Sequence, residues 1–311
     1  MKEKVIGFFG LGNMGLPICQ GMVKCGYQVI LPCFRPARTP EREAAIKEML
    51  EQGATAGTSQ AEMIRQCDLF MLSLPKSQQV EELVLAEDGI LKNAKPGSVI
   101  IDMTSADASS TRNLAKLLEE KNIDILDCPV SGGVGGAAAQ TLTIMVGGKK
   151  EVFDKYREIL DTAGDPDKIF YIGPSGSGDM IKCANNFLSS CCAAASAEAI
   201  AVCAKAGIDP RVAADIIGKS GGANHAVTTK FPNLLFKGKQ FNFALNLMEK
   251  DIGLFNKAAK EMNVPAFFGN TTAQLWKIPM AELGETADWI NVPRLYEKWA
   301  DVNLSGADAE E

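Results

Sequence analysis

Histidine is almost missing from this chain: one residue, His225, stands among 311. No C-x-x-C pair occurs among the nine cysteines, at 19, 25, 33, 67, 128, 183, 191, 192 and 203. An odd count without paired spacing argues against a disulfide framework and fits a reducing, cytosolic setting. Most of these cysteines have apolar neighbours, as buried free thiols do, and no metal site is expected. No apolar run approaches the roughly 20 residues that a bilayer span needs. Lys2 and Lys4 precede an apolar stretch as in a secretion signal. Three glycines, Asn13 and Pro17 interrupt that stretch, and no small-residue cleavage site follows cleanly. The net charge is -6 with interspersed signs, so neither a nucleic-acid surface nor an anionic-membrane surface is expected.

What is present is ordinary globular material, 46% hydrophobic and 23% charged. The length makes two domains the natural prior. Up to about residue 172, short apolar runs alternate with helical patterns. The runs are VIGFF, QVILPC, DLFMLSLP, SVIIDMT, IDILDCPV, TLTIMVGG and KIFYIG. Most are apolar throughout, which suits parallel strands covered on both faces. Between them, REAAIKEMLEQG, SQQVEELVLAEDG, SSTRNLAKLLEEKN and EVFDKYREILDTAG space apolar residues by three and four, with Gly or Asn near each end. This alternation predicts an α/β fold, a doubly wound parallel sheet of Rossmann type. From Asp179 to Ala206 there is neither proline nor glycine, and Ala, Ser and Cys dominate. That stretch reads as a long helix leading into an all-helical domain, with further helices at 210–219, 244–262 and 270–283. The expected division is 1–174 and 175–311.

The first strand is followed by Gly10, Leu11, Gly12, Asn13, Met14 and Gly15, the spacing G-x-G-x-x-G, and then by a helical pattern. In that context Gly10 permits a tight turn and Gly12 lets the backbone approach a pyrophosphate. Gly15 lets the helix pack on the strand, and the helix N-terminus offers N–H groups to the anion. The alternative is a purely structural turn, which the strand–turn–helix context disfavours. A dinucleotide site is expected. An acid at the end of the second strand would hold the ribose 2′-hydroxyl of NAD, but Cys33 stands there and no carboxylate precedes Glu41. Arg35 and Arg38 instead suit a 2′-phosphate, so NADP is favoured over NAD, the alternative being two solvated loop arginines.

Hydride transfer to a carbonyl needs a proton donor. His225 lies within SGGANHAV, a loop-like setting where a lone histidine is more often solvated or structural than catalytic. Lys182 is the better candidate. With Asn185 and Asn186 it occupies i, i+3 and i+4, one face of a helix. Burying these polar groups on a small, apolar helix is costly without a task, and desolvation would bring a lysine's pKa toward the working range. The alternative is a helix whose polar face is simply wet.

These residues resemble the β-hydroxyacid dehydrogenase family, which contains 3-hydroxyisobutyrate dehydrogenase and tartronate semialdehyde reductase. Four motifs appear in the family's order: GLGNMG, DCPVSGGVGGA, GSGDMIKCANN and EKDIGL. The likeness runs from Val5 to about Leu304. It implies that Ser131, Gly132 and Gly133 bind a substrate carboxylate, that Lys182 is the general acid/base, and that Asn186 is a substrate anchor; Asn185, on the same helical face, is also expected to bind substrate. It further implies that Leu74 and Pro75 form the adenine-side turn, that Thr104 lies near the nicotinamide ribose, and that Lys250 reaches the cofactor region beside Asp251. Two departures stand out. Gln140 replaces a family glycine, suggesting a reshaped substrate loop, and the turn after the second strand looks lengthened. NHAVTTKFPN is similar to a stretch of sulfolactaldehyde reductases, but SGG replaces their arginine-containing loop, which favours a carboxylate over a sulfonate.

The expected activity is NAD(P)-dependent interconversion of a small 3-hydroxy acid and its semialdehyde. The rivals are an imine reductase, which generally lacks the lysine present at 182, and a non-catalytic dinucleotide-binding protein. Relatives are commonly dimers or tetramers, so a homodimer or homotetramer is expected.

Overall fold

In the computed structural model, residues 2–34 and 39–304 are described. Arg35 and Arg38 therefore lie outside the described residues. The chain divides into two compact units, Met1–Lys182 and Cys183–Glu311, and the cut falls within the helix Ser177–Lys205.

The first unit is built on a nine-stranded sheet. In chain order the strands are β1 (Val5–Phe9), β2 (Gln28–Leu31), β3 (Thr55–Ala56), β4 (Leu69–Leu72), β5 (Val99–Asp102), β6 (Asp124–Asp127), β7 (Val130–Ser131), β8 (Leu142–Gly147) and β9 (Gly164–Gly173). Their order across the sheet is β3-β2-β1-β4-β5-β6-β8-β7, with β9 on β8. The first six form the parallel 3-2-1-4-5-6 array of a dinucleotide-binding fold.

Strand composition explains the layering. Along β4, Leu69 and Met71 enter one core while Phe70 and Leu72 enter another; β5 divides Val99 and Ile101 from Ile100 in the same way. Because side chains alternate across a strand, an apolar residue at every position demands cover on both faces. Each fully buried large side chain here contributes roughly 1.5–3 kcal/mol.

The sheet is mixed rather than wholly parallel, because β8 runs antiparallel to β6 and β7. The apolar run TLTIMVGG carries no mark of direction, and the two-residue strands β3 and β7 are too short to show a period. Helices Gln60–Gln66 and Val292–Ala300 also join those expected, and the helix read from 270 begins at Phe267.

The second unit is helical among the described residues, apart from one isolated bridge between Ala244 and Asp288. Its core includes Trp276, Trp289, Phe231 and Leu245, with Ala193, Ala197, Ile200 and Ala201 from the long helix. The 29-residue helix Ser177–Lys205 is long and apolar enough to cross a membrane by length and composition. This corrects the expectation that no segment reaches that length. The same small apolar residues are what a helix packed against neighbours requires, and here they join the core. All nine cysteines are free; four are buried, four half-buried, and Cys33 is exposed.

Candidate active site

Gly10 takes φ 102°, and a Cβ there would lie 2.2 Å from the Ser73 carbonyl oxygen. A Cβ on Gly15 would fall 1.9 Å from the Gly10 oxygen, so strand, turn and helix meet backbone to backbone. At Gly12 the same construction meets nothing within 4 Å. The helix Gly15–Lys24 starts at Met14, which supplies no side-chain cap, and its first turn holds no acid. Its leading N–H groups, together with the open space at Gly12, fit an anionic pyrophosphate. The glycine turn thus suits the dinucleotide expected of it. Arg42 also reaches the turn, its Nη2 donating to Asn13 Oδ1 at 2.8 Å.

Two further turns at strand ends join this side of the sheet. The Leu74 N–H donates to Thr104 Oγ1 at 3.1 Å, and the Thr104 N–H donates to Asp102 Oδ1 at 2.9 Å. Thr104 is buried, whereas Pro75 is exposed.

Ser131 ends β7, paired with Thr143 of β8. Gly132 at φ 135° and Gly133 at φ 66° then turn the chain into the short helix Gly133–Ala139. Gln140 ends that helix at φ 58°, ψ 38°. That is the left-handed conformation that glycine favours, adopted here by a residue with a side chain.

Lys182, 8% exposed, sits in the second turn of the long helix. Asn185 and Asn186 follow on the same helical face. Asn185 Nδ2 donates to Asn186 Oδ1 at 3.0 Å, and Asn186 Nδ2 donates to Asp251 Oδ2 at 2.5 Å. Asp251 is buried, and its Oδ1 pairs with Lys250 Nζ at 3.0 Å. Asp251 thus organises two of the expected site residues, a role its place in EKDIGL did not reveal.

His225 is exposed, and partial burial together with the nearby Lys230 charge holds its pKa below the ordinary value. Sequence reasoning also passed over Lys230. It is buried, its Nζ donates to Ser189 Oγ at 2.8 Å, and it lies 4.3 Å from the Trp289 ring centre. Asp127 and Asp179, two wholly buried carboxylates, were missed as well. Burial raises both pKa values, and the neighbouring Asp127 pushes Asp179 higher still. No cluster of His, Cys, Asp or Glu able to hold a metal occurs among the described residues.

Residues 5–173 match the family described as the NAD binding domain of 6-phosphogluconate dehydrogenase. Residues 176–296 match the NAD-binding domain of NADP-dependent 3-hydroxyisobutyrate dehydrogenase. The chain is 36% identical over 306 residues to 2-(hydroxymethyl)glutarate dehydrogenase of Eubacterium barkeri, spanning 98% of this chain and 99% of that one. It belongs to the β-hydroxyacid dehydrogenase family. An NAD-dependent L-serine dehydrogenase of Pseudomonas aeruginosa is 32% identical, over 94% of this chain and 98% of its own. Among solved structures, a Mycobacterium tuberculosis 3-hydroxyisobutyrate dehydrogenase with L-serine superposes with a TM-score of 0.82 at 28% identity, covering 94% of this chain and 98% of that one. This β-hydroxyacid dehydrogenase is accordingly an NAD(P)-dependent oxidoreductase of the Rossmann type.

Proposed function

We propose that the chain interconverts a small carboxylate-bearing 3-hydroxy acid and its semialdehyde, with NADP favoured and Lys182 as general acid/base. The observation that carries this reading is a lysine only 8% exposed, one turn before a pair of asparagines. When bound at the glycine turn, the cofactor supplies or accepts the hydride. Lys182 donates a proton to the carbonyl oxygen during reduction and accepts it during oxidation. Ser131 and the backbone at Gly132 and Gly133 hold the substrate carboxylate. Asn186, fixed through Asp251, presents its second amide hydrogen to the substrate.

Arg42, whose guanidinium reaches Asn13 in the glycine turn, supports NADP, as does the occurrence of Arg35 and Arg38 in the sequence after the second strand. Arg42→Ala is expected to weaken NADPH binding about tenfold or more, since hydrogen bonds to charged groups are worth roughly 1.5–3 kcal/mol. NADH binding should barely change. Fluorescence titration of both cofactors checks this, and a wild-type preference for NADH would end the NADP assignment.

Lys230 favours a diacid as substrate. Its partner Ser189 lies three residues beyond Asn186 on the long helix, about 4.5 Å along the axis. The relative from Eubacterium barkeri is named for a glutarate, a diacid. A panel of semialdehydes assayed by NADPH consumption tests both levels of the reading. The diacid is expected to exceed the matching monoacid in kcat/KM by about 10²-fold, and Lys230→Met to abolish that advantage. Measurable NADPH binding with no turnover across the panel would favour a non-catalytic binding protein instead. The nine free thiols support a reducing, cytosolic location. A homodimer or homotetramer is the proposed assembly; Phe267 and Phe268, 80% and 74% exposed, are apolar surface for a second copy to cover.

A further inference from the structure

The buried carboxylates Asp127 and Asp179 take no part in the reaction described above, yet both belong to the motifs that carry the site. Asp127 ends β6 and accepts the N–H of Gly176 at 2.8 Å and that of Asp179 at 3.1 Å, which ties down the start of the long helix. Asp179, in the first turn, accepts the Ala106 N–H at 3.2 Å and the Thr111 hydroxyl at 2.7 Å. Ala106 lies two residues beyond Thr104, whose Oγ1 holds the Leu74 N–H. A continuous set of bonds therefore runs from the turns at 74 and 104 through Asp179 to the helix that carries Lys182.

Glycines clear the space for this arrangement. A Cβ on Gly147 would sit 2.5 Å from Asp127 Oδ2, and one on Gly178 would sit 2.3 Å from the Met145 carbonyl oxygen. The helix thus approaches β8 as closely as backbone allows, with Asp127 filling the gap. Such an arrangement fixes the first turn in position and in rotation. Lys182 follows Asp179 by three residues, on the same face.

We propose that Asp179 is a positioning residue for Lys182, locking the first turn of the long helix to the turn at Thr104–Ala106 so that the ammonium meets the substrate oxygen correctly. The inference rests on the assignment of Lys182 as the acid/base. Burial raises the pKa of both carboxyls, and the neighbouring Asp127 charge pushes that of Asp179 higher still, whereas backbone N–H donors favour the charged form of Asp127. Asp102, Cys128 and Arg112 are the other ionisable groups placed about the pair. Because the Asp179 pKa is raised on folding, the folded chain binds a proton more tightly than the unfolded chain, and this contribution to stability falls as pH rises above about 4.

The test compares Asp179→Ala, which removes the tie, with Asp179→Asn, which copies the neutral acid. Asp179→Ala is expected to lower kcat about 10²-fold, the cost of a misplacement near 1 Å, with KM and NADPH affinity within a few-fold of wild type. Asp179→Asn should restore most of kcat and flatten the decline of stability above about pH 4. In a Lys182→Met background, Asp179→Ala should cost nothing further, because the residue acts through the lysine. Thr111→Val loosens one bond only and provides a milder variant if Asp179→Ala folds poorly. Wild-type kcat in Asp179→Ala, or an equal loss in Asp179→Asn, overturns the inference. Full turnover in Lys182→Met alone instead overturns the assignment on which it rests.

Discussion

Lys182→Met is expected to lower kcat about 10⁴-fold while leaving folding and NADPH affinity near wild type. As hydride reaches the carbonyl carbon, negative charge grows on oxygen. A buried ammonium both stabilises that charge and delivers the proton. Removal of a general acid costs about 10²–10⁴-fold, and the loss of positive charge places this case at the upper end. Methionine keeps most of the stem volume, so packing around a side chain only 8% exposed should survive. His225→Gln should cost no more than a few-fold, because His225 is exposed and partial burial with the Lys230 charge disfavours its protonation. Single-turnover kinetics beside NADPH dissociation constants separates chemistry from binding. Near-normal turnover in Lys182→Met with a dead His225→Gln would transfer the role to the histidine.

The parallel half of the sheet was legible because β1 and β4 carry no polar side chain and β5 is apolar up to its final Asp102, a pattern that suits strands covered on both faces. The long helix was legible from its lack of proline and glycine. The reversal of β8 was hidden, since strand direction is set by the connections and the apolar pattern reads the same either way. Helix Gln60–Gln66 left a usable signal in Ser59 and Glu62, an S-x-x-E start, but seven residues show too little period to stand out.

At the site, the residues expected to touch ligand were read from their spacing, whereas the carboxylates that hold Asn186 and the start of the long helix were missed. Lys182, Asn186 and the glycines occupy recognisable spacings. Asp127, Asp179 and Asp251 do their work across separations of 49 to 73 residues, as in Gly176 to Asp127, Ala106 to Asp179 and Asn186 to Asp251. No local pattern records such pairings. A carboxylate inside an apolar motif was the available clue, because a buried charge persists only where it is satisfied. Lys230 carried the same clue and was overlooked for the same reason.

Gly12→Val should weaken NADPH binding by about 10³-fold or more without lowering Tm. The contrast with its neighbours makes this a test of the glycine turn itself. A side chain at Gly15 would meet the Gly10 carbonyl oxygen at 1.9 Å, so Gly15→Ala must push helix and strand apart and destabilise the fold by roughly 1–3 kcal/mol. Gly10 combines a left-handed φ of 102° with a Cβ only 2.2 Å from the Ser73 oxygen, and any substitution there is strained twice. Gly12 has neither constraint: its φ is not left-handed and a Cβ there meets open space. Nothing in the fold itself requires glycine at 12. What requires it is the approach of a pyrophosphate to the backbone, where losing two charge-assisted hydrogen bonds amounts to about 4 kcal/mol. Thermal melts of Gly12→Val and Gly15→Ala beside NADPH titrations distinguish the two kinds of glycine. A Gly12→Val protein that binds NADPH normally would show that the pyrophosphate is held elsewhere.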